Sequence, residues 1–181
     1  MNLWSDATAR VNQTVLNLRL AKIFSSKKSR ISSHWSAPNF GCVKFNVDSY
    51  SIGKLGLAGI GGVLRNEGGL VIGLFSRSIG VVDSNVAELV AICEALEMFL
   101  ASDWVTSRSL IIETNSSRAV SWVRDRARIP WCCVSIFNKI LSLLRSVPSV
   151  QFHHVPREAN AFADGLARSG VHRHQPFYAW I

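Results

Sequence analysis

Residues Ala58–Ile79 read AGIGGVLRNEGGLVIGLFSRSI. Two apolar runs flank Asn66-Glu67-Gly68-Gly69, a stretch with the chemistry of a tight turn, since glycine adopts the left-handed backbone that hairpins demand at little cost. Ala58–Arg65 and Leu70–Ile79 therefore read as two antiparallel strands. Glycines inside the first of them mark places where a neighbouring backbone approaches closely or the strand bulges. Upstream, Cys42–Asp48 (CVKFNVD) alternates, with Val43, Phe45 and Val47 on one face, as a strand with one buried side does. Three successive strands with short connections predict an antiparallel meander.

Downstream the period changes. Ser84 is a candidate N-cap, and Val86–Ala101 carries apolar residues at helical spacing. Arg108–Thr114 then reads as a strand and Ser117–Arg126 as a helix that stops before Pro130. Cys132–Ser146 is a further helix, Val150–Val155 a strand and Glu158–Arg168 a last helix. The order βββαβααβα predicts an α/β fold: a five-stranded mixed sheet, three antiparallel strands then two more, flanked by helices.

The chain has 181 residues, 48% of them hydrophobic and 18% charged. That composition excludes general disorder, and the length suffices for one domain with a real core. The net charge of +8 favours a polyanionic partner, either nucleic acid or an acidic membrane surface. Six basic residues against Asp6 in the first 35 positions supply +5 of it. Residues 1–34 read as a basic extension, with Leu16, Leu20, Ile23 and Phe24 at helical spacing and a Ser/Lys-rich linker over Ser25–Ser33. A mitochondrial or plastid transit peptide and a helical extension kept from a longer parent are both open, the extension being favoured. Residues 35–172 are expected to form the domain and 173–181 a tail.

No apolar run approaches the roughly 20 residues of a membrane span. The four cysteines include no Cys-x-x-Cys pair, which speaks against a zinc site. An intracellular setting with reduced thiols, nuclear or cytoplasmic, is the expectation. Gly59-Ile60-Gly61 does not extend to a dinucleotide fingerprint, and no Gly-Lys-Ser/Thr occurs. Cys132, Cys133, Trp104, Trp122 and Trp131 read as core and rim.

Several polar residues stand where apolar ones are expected. Asp48 ends an apolar strand. On a wheel at about 100° per residue, Leu89, Ile92, Cys93, Leu96 and Phe99 define the buried face of the first helix. Glu88 falls on the edge of that face, while Glu94 and Glu97 fall away from it and read as solvated surface. Leu110-Ile111-Ile112 runs into Glu113-Thr114-Asn115-Ser116-Ser117, a buried strand with a polar end. Asn160, Asp164 and Arg168 share one face of the last helix, by itself an ordinary polar face. An unpaired buried carboxylate is costly and wants a partner, of which a divalent metal is one. Carboxylates that converge at one sheet edge can bind Mg²⁺, and two such ions drive phosphoryl displacement.

With these residues in place, the chain from about Trp35 to His172 resembles the ribonuclease H type 1 domain. It looks most similar to the plant reverse-transcriptase-like group, akin to the terminal domain of plant retroelements. The resemblance rests on Trp35–Gly41 before Lys44-Phe45-Asn46-Val47-Asp48, on Gly59–Arg65 with Gly68-Gly69, and on Ala87-Glu88-Leu89. Glu113-Thr114-Asn115-Ser116 and the string His154–Ala167 (HVPREANAFADGLA) complete it.

The resemblance implies Mg²⁺-dependent hydrolysis of the RNA strand of an RNA–DNA hybrid, with Mn²⁺ as a substitute. It places the family's metal-binding acidic positions on Asp48, Glu88, Asn115 and Asp164, its mobile histidine on His154, and hybrid contacts on Asn85 and Ser116. Hybrid recognition reads the 2′-hydroxyl in the minor groove, and the resemblance sets Glu88 near it.

The chain departs from the pattern twice. Asp48 is followed by Ser49 where the family has glycine, which sets a side chain against the substrate. Asn115 stands at the third acidic position and carries no charge. Two readings follow: a hybrid-cutting endonuclease, slow or dependent on Mn²⁺, and a non-catalytic hybrid-binding or protein-interaction module. Arg124, Arg126 and Arg128 are candidate phosphate contacts. A monomer is expected.

Overall fold

The structure, a computed structural model, describes residues 35–181. The expectations for residues 1–34 lie outside the described residues. Three long strands come first: β1 (Cys42–Ser51), β2 (Leu55–Arg65) and β3 (Val71–Asp83). Helix α1 (Ser84–Leu100) follows, then β4 (Ser109–Thr114), α2 (Ser117–Arg124), α3 (Val134–Leu144), β5 (Val150–His154), α4 (Ala161–Gly170) and β6 (Phe177–Trp180).

The strands form one mixed sheet in the order β5-β4-β1-β2-β3-β6. The meander pairs antiparallel, and β4 and β5 add parallel on its other side. The βββαβααβα order is thus present, but the sheet has six strands, not five. Phe177–Trp180, expected in a tail, pairs antiparallel with β3 from Gly73 to Ser76.

The Asn66–Gly69 hairpin forms as its chemistry dictates. Asn66 Oδ1 accepts from the Gly68 and Leu70 backbone N–H groups, each at 3.0 Å, and Gly69 takes the positive φ of 77°. The alternation in β1 also holds. Val43, Phe45 and Val47 are fully buried beneath α1 with Leu89, Ile92, Leu96 and Phe99, and burial of this kind is the main stabiliser of such a domain.

The opposite face of β1 carries Lys44, Asn46 and Asp48, all buried. Helix α4 covers that face and needs bare backbone beneath it. A Cβ on Gly61 would stand 2.4 Å from Ala167 N, and one on Gly59 2.4 Å from Ala167 O.

The helix boundaries move by a few residues. Asp83, not Ser84, caps α1, its carboxylate accepting from Asn85 N at 2.8 Å. Helix α2 ends at Arg124, α3 starts at Val134 after a short 3-10 turn, and α4 starts at Ala161.

Glu94 requires a correction. It is buried, holds Arg77 at 2.6 Å through Oε2, and accepts a short hydrogen bond from the Tyr178 hydroxyl through Oε1. A carboxylate on the apolar flank of α1 is tolerated because β3 and β6 bring it a cation and a donor. Glu97, in contrast, is part-exposed and pairs with Lys139 at 2.7 Å. Trp122 and Cys133 are core, whereas Trp131 is 89% exposed. All four cysteines are free thiols.

Candidate active site and nucleic-acid interface

The carboxyl end of β1, the carboxyl end of β4 and the starts of α1 and α4 meet at one edge of the sheet. Because β1 and β4 run parallel in register, with Val47 opposite Thr114, Asp48 and Asn115 emerge side by side. Asn115 Nδ2 donates to Asp48 Oδ2 at 3.2 Å, and Ser49 N donates to Oδ1 at 2.8 Å.

Asp48 is only 2% exposed. Burial and, less strongly, the nearby Asp164 charge push its carboxyl up to about 7, against the pull of the Ser49 N–H, Arg157 and the Asn160 amide. Glu88 enters from the first turn of α1. Burial and the neighbouring Asp48 push it up to about 8, against a hydrogen bond with the Ser49 side chain. Its Oε2 is buried with no hydrogen-bond partner. Burial thus disfavours the charged form of both carboxyls, and the Asp48 charge adds to this at Glu88, an environment that a nearby cation would relieve.

Asp164 differs. It projects from α4 with its side chain 18% exposed, and both oxygens are taken. Arg157 Nη2 lies 3.1 Å from Oδ1 and Arg168 Nε 2.8 Å from Oδ2. Burial raises this carboxyl, but the two arginines outweigh it and hold it below the usual carboxylate range. Among the described residues, no group of three or more His, Cys, Asp or Glu side chains is arranged to hold a metal ion. Asp48 and Glu88, with the orphaned Glu88 Oε2, do fit a divalent cation. In this arrangement Asn115 presents its amide N–H₂ to Asp48, and Asp164 is engaged with its arginines.

The remaining candidates surround this edge. An open cleft of about 480 Å³ is lined by Asn85, Glu88, Asn115, Ser116, His154 and Arg157 among others. His154 Nε2 lies 3.2 Å from the Asn115 carbonyl oxygen. Ser116 caps α2, accepting from Ala119 N at 3.3 Å, and Asn85 Oδ1 accepts from Arg118 at 3.3 Å. A second hollow, about 560 Å³, continues the cleft along Asn85, Ser117, Arg118, Trp122, Arg128 and Pro130. Of Arg124, Arg126 and Arg128, it is Arg128 that lines this groove, and it also pairs with Asp125 at 3.2 Å.

Sequence reading missed Asn160. The helical wheel sets it on an ordinary polar face, yet it is fully buried. Its Nδ2 donates to Val47 O at 2.8 Å, which ties the start of α4 to the strand that carries Asp48. A signal was available: the asparagine is flanked by Ala159 and Ala161, small residues that permit close packing.

Also missed was a buried ladder behind the site. Lys44 Nζ pairs with Glu113 Oε1 at 2.7 Å, and Asn46 Nδ2 donates to Glu113 Oε2 at 2.8 Å. Asn46 Oδ1 accepts from Arg65 and from the Trp35 indole, each at 2.9 Å.

A mixed sheet of this order, helices on both faces and an acidic edge at the ends of β1 and α1 define a ribonuclease H-type domain. Solved structures share it. LC11-RNase H1, isolated from compost by a metagenomic approach, is 29% identical with a TM-score of 0.68, over 73% of this chain and 96% of that one. The same enzyme solved in complex with an RNA/DNA hybrid aligns at 30% identity and a TM-score of 0.66, over 71% and 96%. RNase H1 from the archaeon Halobacterium salinarum is 26% identical with a TM-score of 0.63, over 72% and 97%.

Residues 46–170 match the reverse transcriptase-like family, and the chain belongs to it. An Arabidopsis thaliana protein that carries a ribonuclease H name is 34% identical over 133 residues, 74% of this chain. The chain spans only 21% of the length of that relative.

Proposed function

We propose that this edge binds an RNA–DNA hybrid and hydrolyses its RNA strand, with Mg²⁺, or Mn²⁺ in its place, held by Asp48 and Glu88. The observation that carries the reading is the pair itself. Two buried carboxyls, pushed to about 7 and about 8, adjoin an open polar cleft, and one oxygen between them has no partner. The solved relative bound to an RNA/DNA hybrid supports the choice of substrate, and the basic balance of the chain supports a polyanion.

A divalent cation bound there supplies a Lewis acid and lowers the pKa of attacking water. The chain's own groups do the rest. Asn115 and the Ser49 N–H hold the Asp48 carboxylate in orientation. Asn85, Ser116 and Glu88, which line the cleft, offer polar contacts suited to a 2′-hydroxyl in a wide minor groove. His154, exposed beside Asn115, is the group that would assist release of the cleaved strand. Arg128 continues the groove with positive charge for phosphate.

A second reading keeps the binding and omits the turnover. Asn115 carries no charge and donates to Asp48, and both oxygens of Asp164 are held by arginines. A domain with only two free carboxylates at its cation site grips a dication less firmly than one with four.

The test is cleavage of a labelled RNA–DNA hybrid in Mg²⁺ and in Mn²⁺ by the wild type, Asp48→Asn and Asn115→Asp, with hybrid binding measured in parallel. Cutting by the wild type that Asp48→Asn abolishes supports the nuclease. Tight binding with cutting only by Asn115→Asp supports the binding module. Absence of both binding and cutting by folded protein overturns both readings.

A further inference from the structure

Three acidic side chains meet at the edge, and only one of them is saturated. Asp164 accepts from Arg157 on the β5–α4 connection and from Arg168 one turn along α4, at 3.1 and 2.8 Å. Among the described residues, Asp48 and Glu88 form no salt bridge. The two arginines are held differently. The Arg168 guanidinium rests on the Tyr50 ring, 4.4 Å from its centroid, and Tyr50 lies two residues beyond Asp48 on the same face of β1. Arg157 lines the open cleft with its side chain 63% exposed, free to turn toward a phosphate.

We propose that Arg157 and Arg168 are resident counter-ions of Asp164 that compete with a divalent cation for this edge, and that a polyanion entering the cleft weakens the competition by drawing Arg157 to itself. The inference rests on the reading of Asp48 and Glu88 as cation ligands. The physical ground is charge count. With all three carboxylates ionised, two guanidiniums leave a single unmatched negative charge for a dication, where the carboxylates alone would present three. Arg157 and Arg168 are therefore positioning residues: they set whether Asp164 turns toward the ion or away from it.

The test is Mn²⁺ binding to the full 181-residue chain, by titration calorimetry and by loss of the free-ion EPR signal. The variants are Arg157→Ala/Arg168→Ala, Arg157→Lys/Arg168→Lys, the alanine pair in an Asp164→Asn background, and Asp48→Asn. Removing both arginines should tighten Mn²⁺ on the order of tenfold, about what two part-exposed ion pairs contribute together. The lysine pair should bind like the wild type, and the gain should vanish in Asp164→Asn. If the double variant does not fold, Arg157→Ala alone should give roughly threefold.

Unchanged or weaker affinity in a folded arginine variant overturns the proposal, as does a gain that persists without Asp164. Asp48→Asn separates the two layers. If it binds Mn²⁺ as the wild type does, the ion sits elsewhere and the reading of the edge fails. If it loses the ion while the arginine variants change nothing, only the competition fails.

Discussion

Asn115 donates its amide N–H to Asp48 at 3.2 Å, so the neutral residue acts as a hydrogen-bonding support for the first carboxylate of the edge. Changing Asn115 to Asp replaces that donation with like-charge repulsion at the same distance. In chelator at neutral pH the Asn115→Asp protein should melt about 3 °C lower than the wild type, as a loss near 1 kcal/mol implies for a domain of this size. Added Mg²⁺ should raise its Tm by more than it raises the wild type's. Differential scanning calorimetry with and without Mg²⁺ checks both, and an equal Mg²⁺ response in the two proteins would count against Asn115 facing the ion.

Asp48 and Glu88 should make stability fall as pH rises. Both are pushed up in the folded state, to about 7 and about 8, above the ordinary carboxylate range. Between the unfolded and folded pKa values the native state holds more protons than the unfolded one, so unfolding free energy declines with pH through that window. Asp164 acts in the opposite sense. Its carboxyl is held low by Arg168 and Arg157, so its contribution is lost only under strongly acid conditions. Urea unfolding in chelator, from about pH 5 to pH 9, should show the decline. Asp48→Asn should flatten it, and Mg²⁺ should flatten it in the wild type. A flat metal-free profile would mean the two carboxyls are not protonated at neutral pH.

Glu94 joins three elements, with Arg77 from β3 and Tyr178 from β6 on its two oxygens. Glu94→Ala leaves a half-buried guanidinium and a phenol without their acceptor. The expected loss is about 3 kcal/mol, against about 1 kcal/mol for Tyr178→Phe, which removes one donor. Chemical denaturation gives both values, and similar losses for the two variants would show that the ion pair adds nothing beyond the phenol.

Gly61 lies under α4, where a Cβ would stand 2.4 Å from Ala167 N and 2.5 Å from Leu166 Cβ. Gly61→Ala must lift α4 from the sheet, at a cost of about 2 kcal/mol. Because α4 carries Asp164, hybrid cleavage or Mn²⁺ binding should suffer along with stability. Full retention of both would show that the helix yields freely.

The legible parts of the molecule are those with local causes. Asn66–Gly69 carries its own turn chemistry, β1 its own alternation, and Glu88 its place at the edge of a helical wheel, so the meander, α1 and the first two carboxylates could be read without a structure. Glu94 could not, since the cation and donor that permit its burial come from β3 and from residue 178, far away in sequence. Phe177–Trp180 is only four residues long and lacks alternation, and pairing with β3 alone makes it a strand. Asn160 reads as part of a polar face away from the core, and its burial depends on the start of α4 docking against β1. The engagement of Asp164 by Arg157 is likewise tertiary, though Arg168 at the i+4 position was a visible partner.

The placement of β6 also bears on synthesis. Until Phe177–Trp180 has been made, the outer backbone groups of β3 from Gly73 to Ser76 have no strand to pair with, although the rest of the meander is long complete. A nascent chain in that interval presents a bare strand edge, the kind of surface that recruits another chain. Sealing that edge is thus the contribution of the last strand to the sheet.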